Sequence, residues 1–413
     1  MIPALCITPA ISGTASAHCA AGLRTRRAQP GRIAQPRGGY GEPPRSAFLT
    51  QALKAGSRLV VVISAAVALA ALAGRAAADE ATPALAKYQE PLDASLDRAL
   101  AFLAKEQQAE GCWSREGGSR SQRNVTGITS LAVMAFLAKG HTPGVGPYGD
   151  CLNKGVDFIL ASQQPNGMLV RGDSGHGPMY SHNISTLMLS EVSGMVDPQR
   201  QARIDQVLPK ALRVILAAQQ VQKDERNAGG WRYQIDSRDS DISCTGWAIM
   251  ALRSARNNGA VVPKDAIEKG LEYIINCRDR GGSGGFAYQP GGAPGWGRTG
   301  TALLSLELCG RHRDRYALLA GKWVLEHLPR RVGEGEHFSY ALYYCAQGTF
   351  QLGDEYWIPF AAQMYDIMLR AQQSDGGWPL VGDNDGEGGR YYSTSMAILA
   401  MSVSYRQLPI YQR

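Results

Sequence analysis

The chain has 413 residues, 43 Lys and Arg against 36 Asp and Glu, and a formal net charge of +7. The excess of positive charge belongs to residues 1–78, where Arg24, Arg26, Arg27, Arg32, Arg37, Arg45, Lys54, Arg58 and Arg75 face a single acid, Glu42. The remainder is close to neutral, so the basic balance gives no support for a nucleic-acid partner, and none is expected.

In chain order, residues 1–78 read as a leader. Lys54 and Arg58 precede an apolar run at 59–73, and Ala76, Ala77 and Ala78 follow it before Asp79. This is the charged, apolar and small-residue order of a signal peptide. The run is short for a membrane span. The expectation is export to the periplasm or the medium, cleavage after Ala78, and no stable membrane span afterwards; an uncleaved anchor is the alternative. The Pro-, Gly- and Arg-rich stretch ahead of Lys54 reads as an upstream-called start or a disordered leader. Residues 79–93 read as a linker.

From about residue 94 to 413 one phrase recurs. Gln107 and Gln108 lead to Gly111 and Trp113, Gln163 and Gln164 to Gly167 and Leu169, and Gln372 and Gln373 to Gly376 and Trp378. Gln219 and Gln220 lead to Gly229, Gly230 and Trp231 across an insertion, and Asn276 and Cys277 lead to Gly284, Gly285 and Phe286. The spacing is close to 56 residues, which marks a repeat architecture. Each phrase ends an amphipathic helical stretch, such as Leu96, Leu100, Leu103 and Gln107. A second helix of small apolar residues follows each one, with Thr129, Thr186, Thr245, Thr301 and Thr394 echoing the period. Counting first helices at 94–108, 150–164, 203–220, 264–277, 314–327 and 356–373 predicts six helical hairpins, amphipathic helices outside and apolar ones inside. Cys112, Cys151, Cys244, Cys277, Cys309 and Cys345 are scattered without metal-ligand spacing and read as small buried hydrophobes, with disulfides, which export would permit, as the alternative.

These phrases, most specifically 372–378, 219–231 and 284–286, resemble the repeats of squalene and oxidosqualene cyclases and of protein prenyltransferase β subunits. The resemblance covers about 94–413. It implies an all-α fold, an α/α toroid of six hairpins around a central apolar cavity. The cyclases protonate their substrate from an Asp-x-Asp-Asp-Thr motif. On the matching stretch Asp241 takes the first position, Ser243 and Cys244 stand in place of the two adjoining acids, and Thr245 matches the Thr. A serine cannot act as a strong proton donor. The zinc of the prenyltransferases has no counterpart either: Tyr340 stands where a histidine is needed, and His337 with Cys345 falls short of a ligand set. No metal and no cofactor is expected.

Asp239 and Asp241 are therefore the catalytic candidates. Asp236, Ser243, Trp247, His182, Tyr344 and Tyr392 are the candidates for a cavity lining. Asp241 also reads as the N-cap of the third inner helix. His176 and His182 with Asp173 suit either a metal or acid–base role or plain turn hydrogen bonding. Asp383, Asp385 and Glu387 have calcium-like spacing in too short a loop. Trp231, Trp296 and Tyr391 read as further aromatics at the turn-to-helix junctions. Three functions remain open. The favoured one is a non-catalytic exported toroid that binds a hydrophobic or extended ligand, or a protein, in its cavity. The others are a terpenoid cyclase or prenyltransferase with divergent acids, and a polysaccharide-active toroid with paired carboxylates.

Overall fold

A computed structural model describes residues 84–114, 124–172, 175–380 and 389–412. The leader, with its apolar run, and the loops carrying Asp173, Asp383, Asp385 and Glu387 lie outside the described residues. The described chain is helical apart from isolated bridges. We number the helices α1 (Gln89–Glu106), α2 (Val125–Ala138), α3 (Gly149–Ala161), α4 (Met179–Val192), α5 (Pro198–Gln219), α6 (Ile242–Asn257), α7 (Lys264–Asn276), α8 (Trp296–Leu308), α9 (Arg315–Glu326), α10 (Phe338–Leu352), α11 (Asp354–Ala371) and α12 (Gly389–Met401). None of these helices is long and apolar enough to cross a membrane.

Even-numbered helices form an inner ring. α2, α4, α6, α8, α10 and α12 each pack on the next, and α12 packs back on α2. Composition explains the placement: every residue of α2 is buried, whereas α7 buries Ile267, Leu271 and Ile274 on one face and exposes the other. α1 begins at Gln89, so part of the stretch read as linker is helical; the ring of Tyr88, just ahead of it, is buried and its hydroxyl donates to Asp366 of α11 at 2.8 Å.

The recurring phrase is a strap between neighbouring units. The first glutamine donates one amide hydrogen to the carbonyl of its own glycine and the other to a carbonyl of the next outer helix. Gln107 reaches Gly111 and Cys151, Gln163 reaches Gly167 and Val207, and Gln219 reaches Gly229 and Ala266. Gln372 reaches Gly376 and Ser95, joining the last unit to the first and closing the ring. Its oxygen accepts from Ser95 Oγ at 2.8 Å and Arg98 at 2.5 Å. The glycine of the phrase sits at positive φ against the next outer helix. A Cβ on Gly376 (φ +96°) would fall 2.8 Å from the Arg98 carbonyl carbon, so a side chain there is excluded twice over. The tryptophan indoles donate back into the preceding helix: Trp113 to Leu103, Trp231 to Ile215 and Trp378 to Met368.

A side chain on the inner helix then takes the N–H of the apolar residue. Thr129, Thr245 and Thr394 do this for Trp113, Trp231 and Trp378. Thr186 and Thr301, which echo the same period, do not. His182 holds Leu169 N–H at 3.0 Å, and Thr299 holds Phe286 N–H at 2.9 Å. In those two units the side chain that faces the strap stands four and two residues upstream of the repeating threonine. The fifth unit carries no phrase. There, a recess of about 510 Å³ lies between α9 and α11 on the outer surface, lined by Leu318, Leu319, Leu325 and Tyr356 among others.

Candidate functional site

The expected apolar cavity is corrected by what fills the ring. Trp247 of α6 stacks on Tyr343 and meets Tyr344 edge-on, both on α10. α6 and α10 are not ring neighbours, so these side chains meet across the lumen. Trp247 and Tyr344 are 2% and 0% exposed, and therefore fill the lumen rather than line a void. Glycines bring the helix backbones too close for a wide ring: Gly297 abuts Tyr340, Gly300 abuts Cys345 and Gly246 abuts Thr301. A void beside Phe338, Leu342, Trp378 and Ala397 has about 10 Å³ of room, enough for about one water.

The polar groups gather at the end of the ring where the inner helices begin. Asp241 is the N-cap of α6, its Oδ1 accepting Cys244 N–H at 2.8 Å. Its Oδ2 takes Arg232 Nη1 at 3.2 Å. Arg232 reaches Asp239 through Nε at 3.1 Å and donates to the Tyr288 hydroxyl at 3.0 Å. The guanidinium lies over the rings of Tyr233 and Tyr288, whose hydroxyls bond each other. Tyr180 and His176 pack on Tyr233 at 5.7 and 5.5 Å between ring centroids. Tyr340 hydrogen-bonds Thr301. Tyr180, Arg232, Tyr233, Asp239, Tyr288 and Tyr340 are half-buried and His176 is exposed, so the bowl is open to solvent.

Asp241 itself is 0% exposed. Burial pushes its carboxyl up to about 6, against the opposing pull of the cap and of Arg232. Burial likewise draws Lys223 down to about 8, opposed by Asp239 and Asp241, and its ammonium donates to Gly230 C=O and Ser240 Oγ.

Of the other residues singled out from the sequence, Ser243 is buried in the first turn of α6 and Tyr392 is half-buried in the first turn of α12. Asp236 is exposed on the loop before α6, clear of the Arg232 cluster's ion pairs. His182 points away from the lumen, into the outer layer. Its Nδ1 accepts from Leu169 N–H and its Nε2 meets the Ala211 carbonyl at 3.1 Å, which admits only the neutral tautomer protonated at Nε2. Burial draws it down to about 4. It is a strap residue, not a site residue. Tyr391 bonds Glu106 of α1, and His337 is exposed while Cys345 is buried against Trp296. No trio of His, Cys, Asp or Glu suited to a metal occurs among the described residues, and the described cysteines are unpaired.

Sequence reasoning did not single out Arg232, Tyr233, Tyr288 or Tyr180. A signal was available for two of them: Tyr233 and Tyr288 each stand two residues beyond the apolar residue of a phrase, Trp231 and Phe286.

This geometry is that of an α/α toroid, and solved structures share it. The chain superposes on an inactive variant of an α-1,6-mannanase of Salegentibacter sp. HEL1_6, in complex with α-1,6-mannotriose, with a TM-score of 0.57 at 11% identity, covering 76% of this chain and 99% of that one. It superposes on variants of a type II terpene cyclase from Scytonema with TM-scores of 0.50. One, in complex with geranylgeranyl dihydroxybenzoate, is 15% identical over 77% of this chain and 99% of the cyclase. The other, in complex with merosterolic acid A, is 16% identical over 77% and 98%. No family profile and no curated protein sequence matches the chain. At these identities the likeness is one of fold.

Proposed function

We propose that this toroid is a non-catalytic binding protein, and that its ligand is an extended, hydrogen-bonding molecule held across the mouth of the inner ring rather than a hydrocarbon inside it. One observation carries the reading: both oxygens of Asp241, the acid in the first position of the cyclase-like stretch, are engaged, one by the α6 N-terminus and one by Arg232. Proton donation to an alkene needs an acid aimed at a substrate cavity. Here the space below the acid is occupied by Trp247, Tyr343 and Tyr344. The bowl above it offers what an extended polar ligand uses, namely a half-buried cluster of Tyr180, Tyr233 and Tyr288 rimmed by the exposed His176, with hydroxyl, guanidinium and carboxylate groups between them.

A polysaccharide-active toroid is the second reading, favoured by the approach of Asp239 and Asp241 to one guanidinium. A glycosidase needs two carboxyl groups free to exchange protons across a sugar, and Arg232 binds both. Export through the leader, with cleavage after Ala78, completes the proposal. Calorimetry with α-1,6-mannotriose and with geranylgeranyl dihydroxybenzoate tests the ligand class. The reading expects the saccharide to bind, Tyr233→Ala to weaken it at least tenfold, and neither compound to be converted. Tight binding of the prenyl compound alone would reverse the choice.

A further inference from the structure

The other end of the ring is closed by the chain itself. Beyond α12 two 3-10 turns, Val403–Tyr405 and Pro409–Tyr411, fold over the C-terminal ends of the inner helices, and the second packs on α6. Leu408, Ile410 and Tyr411 are buried. Three inner helices hold them. Glu191 of α4 accepts Ile410 N–H at 3.2 Å with one oxygen and the Ser254 hydroxyl of α6 with the other. On α10, Tyr343 shares a hydroxyl–hydroxyl bond with Tyr411, and Gln351 donates to the Tyr411 carbonyl at 3.3 Å.

Glu191 is 0% exposed. The titratable groups facing it are Tyr343 from α10 and Tyr411 from the tail, both kept neutral by burial. α6 presents only the Ser254 hydroxyl and, nearby, Asn258, which is spent on the Ser190 carbonyl. Among the described residues no Lys, Arg or His pairs with it.

We propose that residues 403–412 are a pH-gated plug, latched to the ring by the buried carboxyl of Glu191 and released as the solution goes from acid to neutral. A neutral carboxyl fits the site: its carbonyl oxygen accepts Ile410 N–H and its hydroxyl pairs with Ser254. An ionised carboxylate there has no countercharge, and water reaches it only when the tail lifts. Burial pushes the carboxyl up to about 7. The closed form therefore favours the protonated state. Its stability is full below the ordinary carboxyl value of 4.5 and falls as pH rises through about 7. If lifting the tail restores the ordinary value, linkage raises the opening constant about tenfold between about pH 6 and about pH 8.5. The plug is independent of what binds at the mouth.

Hydrogen–deuterium exchange on the full chain tests it, with uptake in 403–412 corrected for the intrinsic pH dependence of exchange and α4 as the control for global opening. The wild type should lose about tenfold protection in the tail across that range while α4 holds. Glu191→Gln, which keeps a carbonyl for Ile410 N–H and cannot ionise, should lose none. Tyr411→Phe should weaken the plug by the same factor at every pH. An equal loss in wild type and Glu191→Gln, or a flat profile in the wild type alone, overturns the proposal.

Discussion

Replacing Gly376 by alanine should open the ring at its closing seam. The perturbation is one methyl group, but it meets two obstacles. The backbone stands at φ +96°, where an L-residue is strained, and the new Cβ would lie 2.8 Å from the carbonyl carbon of Arg98. That carbonyl belongs to the α1 backbone and cannot swing aside as a side-chain tip can. The strain costs about 1–2 kcal/mol, and relieving the overlap costs about 1–3 kcal/mol. If α1 retreats, the Gln372 bond to the Ser95 carbonyl lengthens, a loss of about 1 kcal/mol. The sum is about 3–6 kcal/mol. Gly194 supplies the control: its φ is +86° and no atom lies within 4 Å of its hypothetical Cβ. Gly194→Ala should therefore cost about 1–2 kcal/mol, the backbone strain alone. Urea melts of both variants against wild type decide it. Equal losses for the two glycines would show that the seam at Gly376 is not a tight contact and would refute the strap as the device that closes the ring.

His182→Ala should strand Leu169 N–H and cost about 1–3 kcal/mol in thermal melts, without altering ligand binding; a binding defect at unchanged stability would return His182 to the site. Trp231→Phe should lose about 1–2 kcal/mol in the same assay by freeing the Ile215 carbonyl. Asp241 has a folded value raised to about 6 from 3.8, so it favours the folded state most at low pH and that contribution fades as pH rises through about 6. Asp241→Asn keeps a capping oxygen and cannot ionise. Urea melts should therefore show its stability improving relative to wild type between about pH 4 and about pH 7.5, and a relative decline would mean that Arg232 outweighs burial. Exported material should begin at or near Asp79 on N-terminal sequencing, and retention of residues 59–73 would count against the leader proposal.

The hairpin count and the inner and outer assignment were legible because both rest on local rules: a repeat near 56 residues and the contrast between α2, apolar throughout, and amphipathic helices such as α7. The Asp241 cap was legible for the same reason, since a short acid before an apolar helix start satisfies unpaired N–H groups. The filled lumen was not. It depends on Trp247 and Tyr343 reaching past α8 to meet, and on Tyr411 returning from the far end of the chain, distances in sequence that periodicity does not encode. His182 shows a further limit. A histidine near the phrase looks like a ligand from its side-chain type, but its role is set by the register of α4, which places it where other units use threonine. The bowl at the mouth fell between these cases, because Arg232 and Tyr233 follow a phrase directly while their partner Tyr288 comes from the next unit.

The most direct test of the central claim is product analysis by mass spectrometry after long incubation of the protein with geranylgeranyl dihydroxybenzoate, squalene and an α-1,6-mannan, alongside the Asp241→Asn variant. A toroid whose remaining acid is spent on a helix cap and on Arg232 yields no product from any of them, and the two proteins give identical traces. A cyclised or hydrolysed product made by the wild type and lost in Asp241→Asn would contradict the account and make Asp241 a catalytic acid.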